Sequence, residues 1–192
     1  MKEDQTMDSR KYYEINVCGC TRKLPIVRIS DNLNIASFVL LGDAELVVKA
    51  AAELVKQIPE VDYLITAEAK GIPLVQEMAR LLNMGRYFVA RKSIKPYMDD
   101  PFITEVYSIT TQKKQILCLD GEEAAMIKGK KIAIVDDVIS TGESLEAMTK
   151  LVEKAGGKIL SKCSILAEGD AAQRKDITFL APLPLFPVEK SR

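Results

Sequence analysis

The sequence predicts an α/β fold, a central parallel sheet flanked by helices, and three observations carry that reading. Short apolar runs at residues 63–67, 87–90, 132–135 and 159–167 suit strands buried on both faces. Segments with helical spacing separate these runs, and strands that alternate with helices pair in parallel. The run from Ile132 leads into two carboxylates, Asp136 and Asp137, then a turn of small residues and an amphipathic segment. Open α/β sheets bind ligands outside the carboxyl ends of their strands, where such a turn stands.

Taken in order, residues 1–8 are polar and read as a tail without a signal-peptide core. Residues 12–29 hold short alternating segments, 13–17 and 24–29, which read as a small strand-rich appendage. Residues 30–34 are turn chemistry. From Asp43, a plausible N-cap, Leu46, Val47, Ala50, Ala51, Leu54 and Val55 recur at helical spacing, ending near Gln57 ahead of Pro59. After the strand at 63–67, a helix is expected from about Pro73 to Leu82, with proline at its favoured early position. Met84-Gly85 breaks that helix before the strand at 87–90. Residues 91–114 are polar and proline-broken, with antiparallel strands expected at 106–110 and 115–119; such an excursion reads as a lid or binding loop. Beyond the turn, Leu145, Met148, Leu151, Val152 and Ala155 share one helix face, and Gly156-Gly157 ends it. Residues 179–186 carry too many prolines for a central strand.

Composition excludes several classes of function. The chain has 192 residues, enough for one domain with a substantial core. Lys+Arg and Asp+Glu both number 27, so no global basic field points to nucleic acid. No apolar run reaches membrane-spanning length, and a cytoplasmic enzyme is expected. Cys18, Cys20, Cys118 and Cys163 show no zinc spacing. The absence of histidine removes Ser-His and Cys-His nucleophiles and His-ligated metals. Proton transfer is left to carboxylates, lysine, tyrosine or water.

Chemistry gathers at three places. The turn Ser140-Thr141-Gly142-Glu143-Ser144 can aim several backbone N–H groups at one anion, and the helix beneath adds a favourable dipole. Phosphate suits that turn. Asp136 and Asp137 do not hold phosphate; they suit hydroxyls or a magnesium ion. A sugar phosphate with free hydroxyls satisfies both halves. Glu68-Ala69-Lys70-Gly71 is a second strand-to-helix loop, where Gly71 permits close backbone approach to an anion and Lys70 adds charge. Arg91, Lys92 and Lys95 form a third, cationic stretch.

The ordered pattern of residues 132–144 resembles the phosphoribosyl-pyrophosphate (PRPP) signature of the type I phosphoribosyltransferases. From about Leu24 onward, nearly the whole chain is similar to the purine group of that family. The resemblance implies a phosphoribosyltransferase core at residues 43–192, a tail and N-terminal hood at 1–42, and a flexible β-hairpin loop. It implies transfer of 5-phosphoribosyl from PRPP to a purine base, giving a nucleoside 5′-monophosphate and pyrophosphate. Asp136, Asp137, Ile139, Ser140, Thr141, Gly142, Glu143 and Ser144 would hold the ribose phosphate. Glu68, Ala69, Lys70, Gly71, Arg91, Lys92 and Lys95 would hold pyrophosphate, in the family partly through a non-proline cis peptide. Asp136, Asp137 and Lys92 would be catalytic, and cations there would stabilise an oxocarbenium-like ribose and its leaving group. Mg²⁺ would arrive through PRPP with Asp136 and Asp137 nearby. A homodimer is implied, and neither nucleic acid nor membrane is an expected partner.

Val27, Asn34, Val138 and Gly169 match base-contacting positions, but the subfamily signals conflict. Residues 180–186 look like the end of adenine phosphoribosyltransferases, whereas 106–112 and Leu33-Asn34 are closer to xanthine phosphoribosyltransferases. Adenine enzymes usually carry a loop glutamate, and the best-matching position here is Thr110. Xanthine-type enzymes usually place a lysine near Gly169 to meet the 6-oxo group, and this chain has none. A buried carbonyl left unpaired costs roughly 1–3 kcal/mol, so adenine is preferred. The alternatives are a xanthine or hypoxanthine/guanine enzyme, or a PRPP-sensing regulatory protein without catalysis. A regulator of that kind needs a helix-turn-helix or winged-helix domain, and the segment before Asp43 is too short and strand-like for one.

Overall fold

The computed structural model describes residues 11–107 and 114–188. The expectations for residues 1–8, for Thr110 and for the joint of the hairpin lie outside the described residues. Among them, two sheets and four α-helices build the fold around a two-stranded hairpin.

The small sheet comes first in the chain. β1 (Tyr12–Val17) and β2 (Cys20–Ser30) pair antiparallel, with Val17 opposite Cys20. Their two-residue turn, Cys18-Gly19, has φ of 52° and 75°, matching the right-handed twist of the flanking strands. Ile15 and Val17 point inward while Glu14 and Asn16 face solvent, the period-two pattern of a half-buried sheet. β3 (Leu33–Ala36) pairs with β2 and also with β11 (Leu185–Pro187), which returns from the far end of the chain. Residues 12–36 thus supply three of the four strands of this sheet, and the fourth comes from 185–187, inside the stretch that the sequence reading gave to the core.

The main sheet is five-stranded and parallel throughout, in the order β10 (Thr178–Leu183), β9 (Lys158–Glu168), β8 (Lys131–Ile139), β4 (Tyr63–Ala67), β5 (Phe88–Ala90). Central β8 buries Ile132, Ala133, Ile134 and Val135 on both faces. β10, with Pro182, lies at the edge, where a missing N–H costs no ladder bond. Helices α1 (Ala44–Leu54) and α2 (Ile72–Leu81) pack Leu46, Leu54, Leu74 and Met78 on one face, together with Ile15, Val17 and Phe38 of the hood side. Helices α3 (Gly121–Ile127) and α4 (Glu143–Lys154) cover the other face with Ile127, Leu151 and Val152, against Phe88 and Ile134. No helix among the described residues is long and apolar enough to cross a membrane.

Three differences from the sequence reading stand out, and the first two have physical causes. The hairpin strands are β6 (Phe102–Tyr107) and β7 (Lys114–Leu119), so the first starts four residues earlier than expected. Lys154 anchors that early part: its Nζ donates to Ile103 O at 2.9 Å and lies 5.1 Å above the Phe102 ring. Helix α3 was not anticipated, because it buries only Ala124 and Ile127 and shows almost no periodicity. Its signal is the capping box of Asp120 and Glu123. Helix α1 stops at Leu54, three residues before the expected end.

Hood and core meet through Arg22. Its guanidinium donates to both Asp43 carboxylate oxygens, at 2.6 and 2.8 Å, and to Glu45 at 2.9 Å. Asp43 also caps α1 by accepting from Leu46 N at 3.2 Å. Arg22 above all, and then the Leu46 N–H, hold the Asp43 carboxyl below the usual carboxylate range. Asp43→Ala is expected to lower unfolding stability by about 1–2 kcal/mol in urea titrations at neutral pH. Because the folded-state pKa is depressed, the difference should be full above the ordinary value near 3.8 and vanish as pH falls through the folded value.

Candidate active site

β8 ends at Ile139, and α4 begins four residues later at Glu143. Gly142 stands between them as the N-cap with φ of 86°, and a Cβ there would come within 2.7 Å of Arg174 Nη1. The positive φ calls for glycine, whereas the Arg174 side chain could move aside. With no side chain to cap the helix, its first N–H groups are left to a ligand or water. Ser140, Thr141 and Ser144 are exposed around this turn, whereas Ile139 is buried and anchors it.

Asp136 and Asp137 sit near the end of β8 and, as neighbours in a strand, face opposite sides of the sheet. Asp137 is 2% exposed; its Oδ2 lies 3.0 Å from Lys70 Nζ but has no well-directed hydrogen bond. Asp136 Oδ1 accepts from Asp137 N at 2.8 Å. Asp136 keeps part of its surface in solvent, yet its carboxyl is closely surrounded by protein. That burial, reinforced by the Asp137 charge, pushes its pKa up to about 7, against a smaller opposing pull from Lys70.

The second loop follows β4. The Glu68–Ala69 peptide is cis. Gly71 caps α2, and a Cβ at this position would run into the Thr66 hydroxyl of the fully buried strand residue. Glu68 reaches sideways to the cationic segment. Its Oε2 lies 3.6 Å from Arg91 Nη1 and its Oε1 3.6 Å from Lys95 Nζ. Arg91 also donates to Tyr97 Oη at 3.0 Å, and Lys95 to Ser93 Oγ at 2.7 Å. Reciprocal backbone bonds between Arg91 and Cys118, 2.8 and 2.9 Å, tie this segment to hairpin strand β7. Arg91, Lys95 and Lys70 are therefore brought to the strand ends. Lys92 is exposed and has no hydrogen bond or ion pair among the described residues.

Of the candidate base-contacting residues, Asn34 and Gly169 both adjoin β11. Val27 is opposite Ile35, Ile35 is opposite Leu185, and Asn34 pairs with both Arg28 and Phe186. Gly169 has φ of 58°, and a Cβ there would meet Leu185 Cδ1 at 2.7 Å. Val138, opposite Leu166, packs against the core that includes the hood residues. Through Leu185, β11 of the small sheet thus touches the turn that follows β9.

Sequence reasoning missed two groups. Glu168 ends β9 directly before Gly169; burial raises its carboxyl pKa, and the nearby Lys70 charge opposes that. An acid at a strand end beside a glycine was its only signal. Arg174 and Lys162 flank the turn together with Thr141, Gly142 and Glu143 around a shallow cavity. Asp176 holds Arg174 through two bonds, 2.9 and 2.7 Å, and lies 3.8 Å from Lys162. Nothing in the local sequence around Arg174 points to a turn so distant along the chain. A separate wide cleft, lined by Arg86, Tyr87, Tyr97, Asp120 and Glu123, shares only Arg91 with these loops.

Comparison with known proteins places the chain in a family. The phosphoribosyl transferase domain model matches residues 41–182. A hypoxanthine/guanine phosphoribosyltransferase of Methanococcus voltae is 34% identical over 146 residues, covering 75% of this chain and 74% of that protein. An adenine phosphoribosyltransferase of Brachyspira hyodysenteriae is 31% identical over 118 residues, covering 62% and 66% of the two chains. Among solved structures, adenine phosphoribosyltransferase from Thermoanaerobacter pseudethanolicus superposes with a TM-score of 0.62 at 23% identity, covering 74% of this chain and 84% of that one. The Leishmania donovani enzyme gives 0.61 at 19% identity over 90% and 75%. These structures establish the shared fold, and the sequence match establishes descent: the chain belongs to the phosphoribosyltransferase domain family.

Proposed function

We propose that this chain transfers the 5-phosphoribosyl group of PRPP to a purine base, releasing pyrophosphate and a nucleoside 5′-monophosphate. The observation that carries the reading is the adjacency of three unlike sites at neighbouring strand ends. An uncapped helix start at Gly142 suits the 5′-phosphate, the Asp136–Asp137 pair suits ribose hydroxyls, and Lys70, Arg91 and Lys95 suit pyrophosphate. In the transfer, the bond from ribose C1′ to pyrophosphate breaks and a bond from a base nitrogen to C1′ forms. Positive charge builds on ribose beside the carboxylates, and negative charge leaves toward the cations. The side chain of Lys92 points to no partner in this state, so its catalytic role would require the basic segment to close over PRPP.

Magnesium fits this site as a companion of the substrate. Asp136 and Asp137 offer hard carboxylate oxygens, and Asp137 Oδ2 is buried without a hydrogen-bond donor. Among the described residues no cluster of His, Cys, Asp or Glu could cage a metal alone, so the remaining ligands would be PRPP oxygens and water. Bound Mg²⁺ would offset charge on the leaving pyrophosphate.

For the base, the surroundings of Gly169 favour adenine. Glu168 and Asp170 flank that glycine, and acceptor oxygens there suit an amino group and repel a 6-oxo group. The relatives named hypoxanthine/guanine phosphoribosyltransferase support the second reading, a 6-oxopurine substrate. The purine enzymes that this chain resembles also imply a cytoplasmic homodimer, and we extend both to it.

A panel of adenine, hypoxanthine, guanine, xanthine, uracil and orotate, each with PRPP and Mg²⁺, should release pyrophosphate fastest with adenine. Turnover with 6-oxopurines alone would overturn the adenine assignment, and PRPP binding without turnover on any base would point to a regulatory protein. Asp137→Asn should raise the PRPP KM or lower kcat by about 10-fold or more, with circular dichroism unchanged. Asp136→Asn should also impair turnover while stabilising the fold at pH 8. The Asp136 pKa is raised from 3.8 to about 7, so the native state binds the extra proton and stability falls as pH rises through that window. Melting temperatures at pH 5 and pH 8 check this: the wild-type protein should lose more between them than Asp136→Asn.

A further inference from the structure

We infer that Glu68 is a positioning residue that competes with pyrophosphate for Arg91 and Lys95, weakening the grip of the site on its leaving group. The inference rests on the reading of residues 68–71 and 91–95 as the pyrophosphate site. Glu68 stands between the two cations with one oxygen 3.6 Å from each. These separations are within ion-pair range but too long for hydrogen bonds, which need 2.7–3.2 Å. Glu68 Oε2 is moreover out of solvent with no hydrogen-bond donor among the described residues. The carboxylate is therefore held by charge alone, whereas its partners keep directed bonds elsewhere, Arg91 to Tyr97 and Lys95 to Ser93. Those bonds would keep Arg91 and Lys95 in position when Glu68 lets go.

A carboxylate and an ionised pyrophosphate both only accept hydrogen bonds, so they cannot share the same donors without repulsion. Pyrophosphate entering this site must displace the Glu68 charge or endure it. The arrangement recurs next door, where Asp137 lies 3.0 Å from Lys70. Each structured cation that faces the loop thus already has an anion beside it. An isolated stabilising salt bridge would predict no effect on ligand affinity, and a direct ligand would predict a loss when removed. Competition predicts a gain, and that sign separates the three.

The test is calorimetric titration of the full chain with magnesium-free pyrophosphate and, separately, orthophosphate. Glu68→Gln should bind pyrophosphate about 10-fold more tightly than the wild-type protein. The gain should be smaller for orthophosphate, which carries less charge, and should shrink as salt is added. Glu68→Asp, which keeps the charge, should stay near the wild-type affinity. In turnover assays Glu68→Gln should show correspondingly stronger product inhibition by pyrophosphate. Unchanged or weaker binding by Glu68→Gln, with the wild-type protein binding normally, overturns the competition alone. Absence of pyrophosphate binding in the wild-type protein overturns the assignment of the site and the inference with it. If circular dichroism shows Glu68→Gln unfolded, Glu68→Met, of similar length and uncharged, takes its place with the same expectations.

Discussion

The candidate site depends on the burial of β8 on both faces. A strand enclosed by α1 and α2 on one side and α3 and α4 on the other cannot slide or twist without opening a core. Its register with β4 and β9 sets the height at which apolar residues give way to Asp136 and Asp137. Because β4 pairs alongside in the same direction, its own end brings the Glu68–Gly71 loop level with those carboxylates. Because β5 is next, Arg91 emerges one strand further out. Parallel pairing thus collects side chains that are distant in sequence at one edge, with no contact needed among the loops themselves.

The cost of this arrangement is electrostatic. Asp136, Asp137, Glu68 and Glu168 crowd one end of the sheet, and burial disfavours the charged form of a carboxylate. Asp136 shows that cost directly in its upward shift, and Glu168 in the same direction. Lys70 is the common counterweight. It pairs with Asp137 and favours the ionised forms of both Asp136 and Glu168. A site with this many opposed charges is stable enough to fold and remains responsive to a polyanion, since a ligand that rearranges one pair alters the balance of the others.

The parts of this architecture that are legible in the sequence are those written in local patterns. Residues 132–144 show strand, carboxylates, turn and helix in one continuous stretch, and the structure keeps them in that order. The α1 cap at Asp43 and the proline early in α2 are equally local. What was hidden depends on partners far along the chain. β11 is a three-residue strand between prolines, and only its pairing with β3 gives it meaning. Arg174 acquires its place beside Gly142 from the course of the chain after β9, and Glu68 acquires its cations from β5. α3 escaped for the opposite reason: its capping box is local, but two buried residues make too weak a periodic signal.

The return of β11 bears on how the base would be recognised. Phe186 packs edge-on against Tyr13 at 5.4 Å, and Leu185 presses on the bare backbone of Gly169. A side chain at position 169 would be strained by the positive φ and would have to push the Leu185 side chain aside. Recognition of a 6-oxo group at this end would need a donor from another element, and the residue closest in sequence, Glu168, carries the wrong charge for it. In the adenine reading proposed above, an ionised Glu168 would accept from the exocyclic amine. The proposal of an aminopurine substrate therefore rests on the acidic residue beside Gly169 and on the packing of β11 against that glycine.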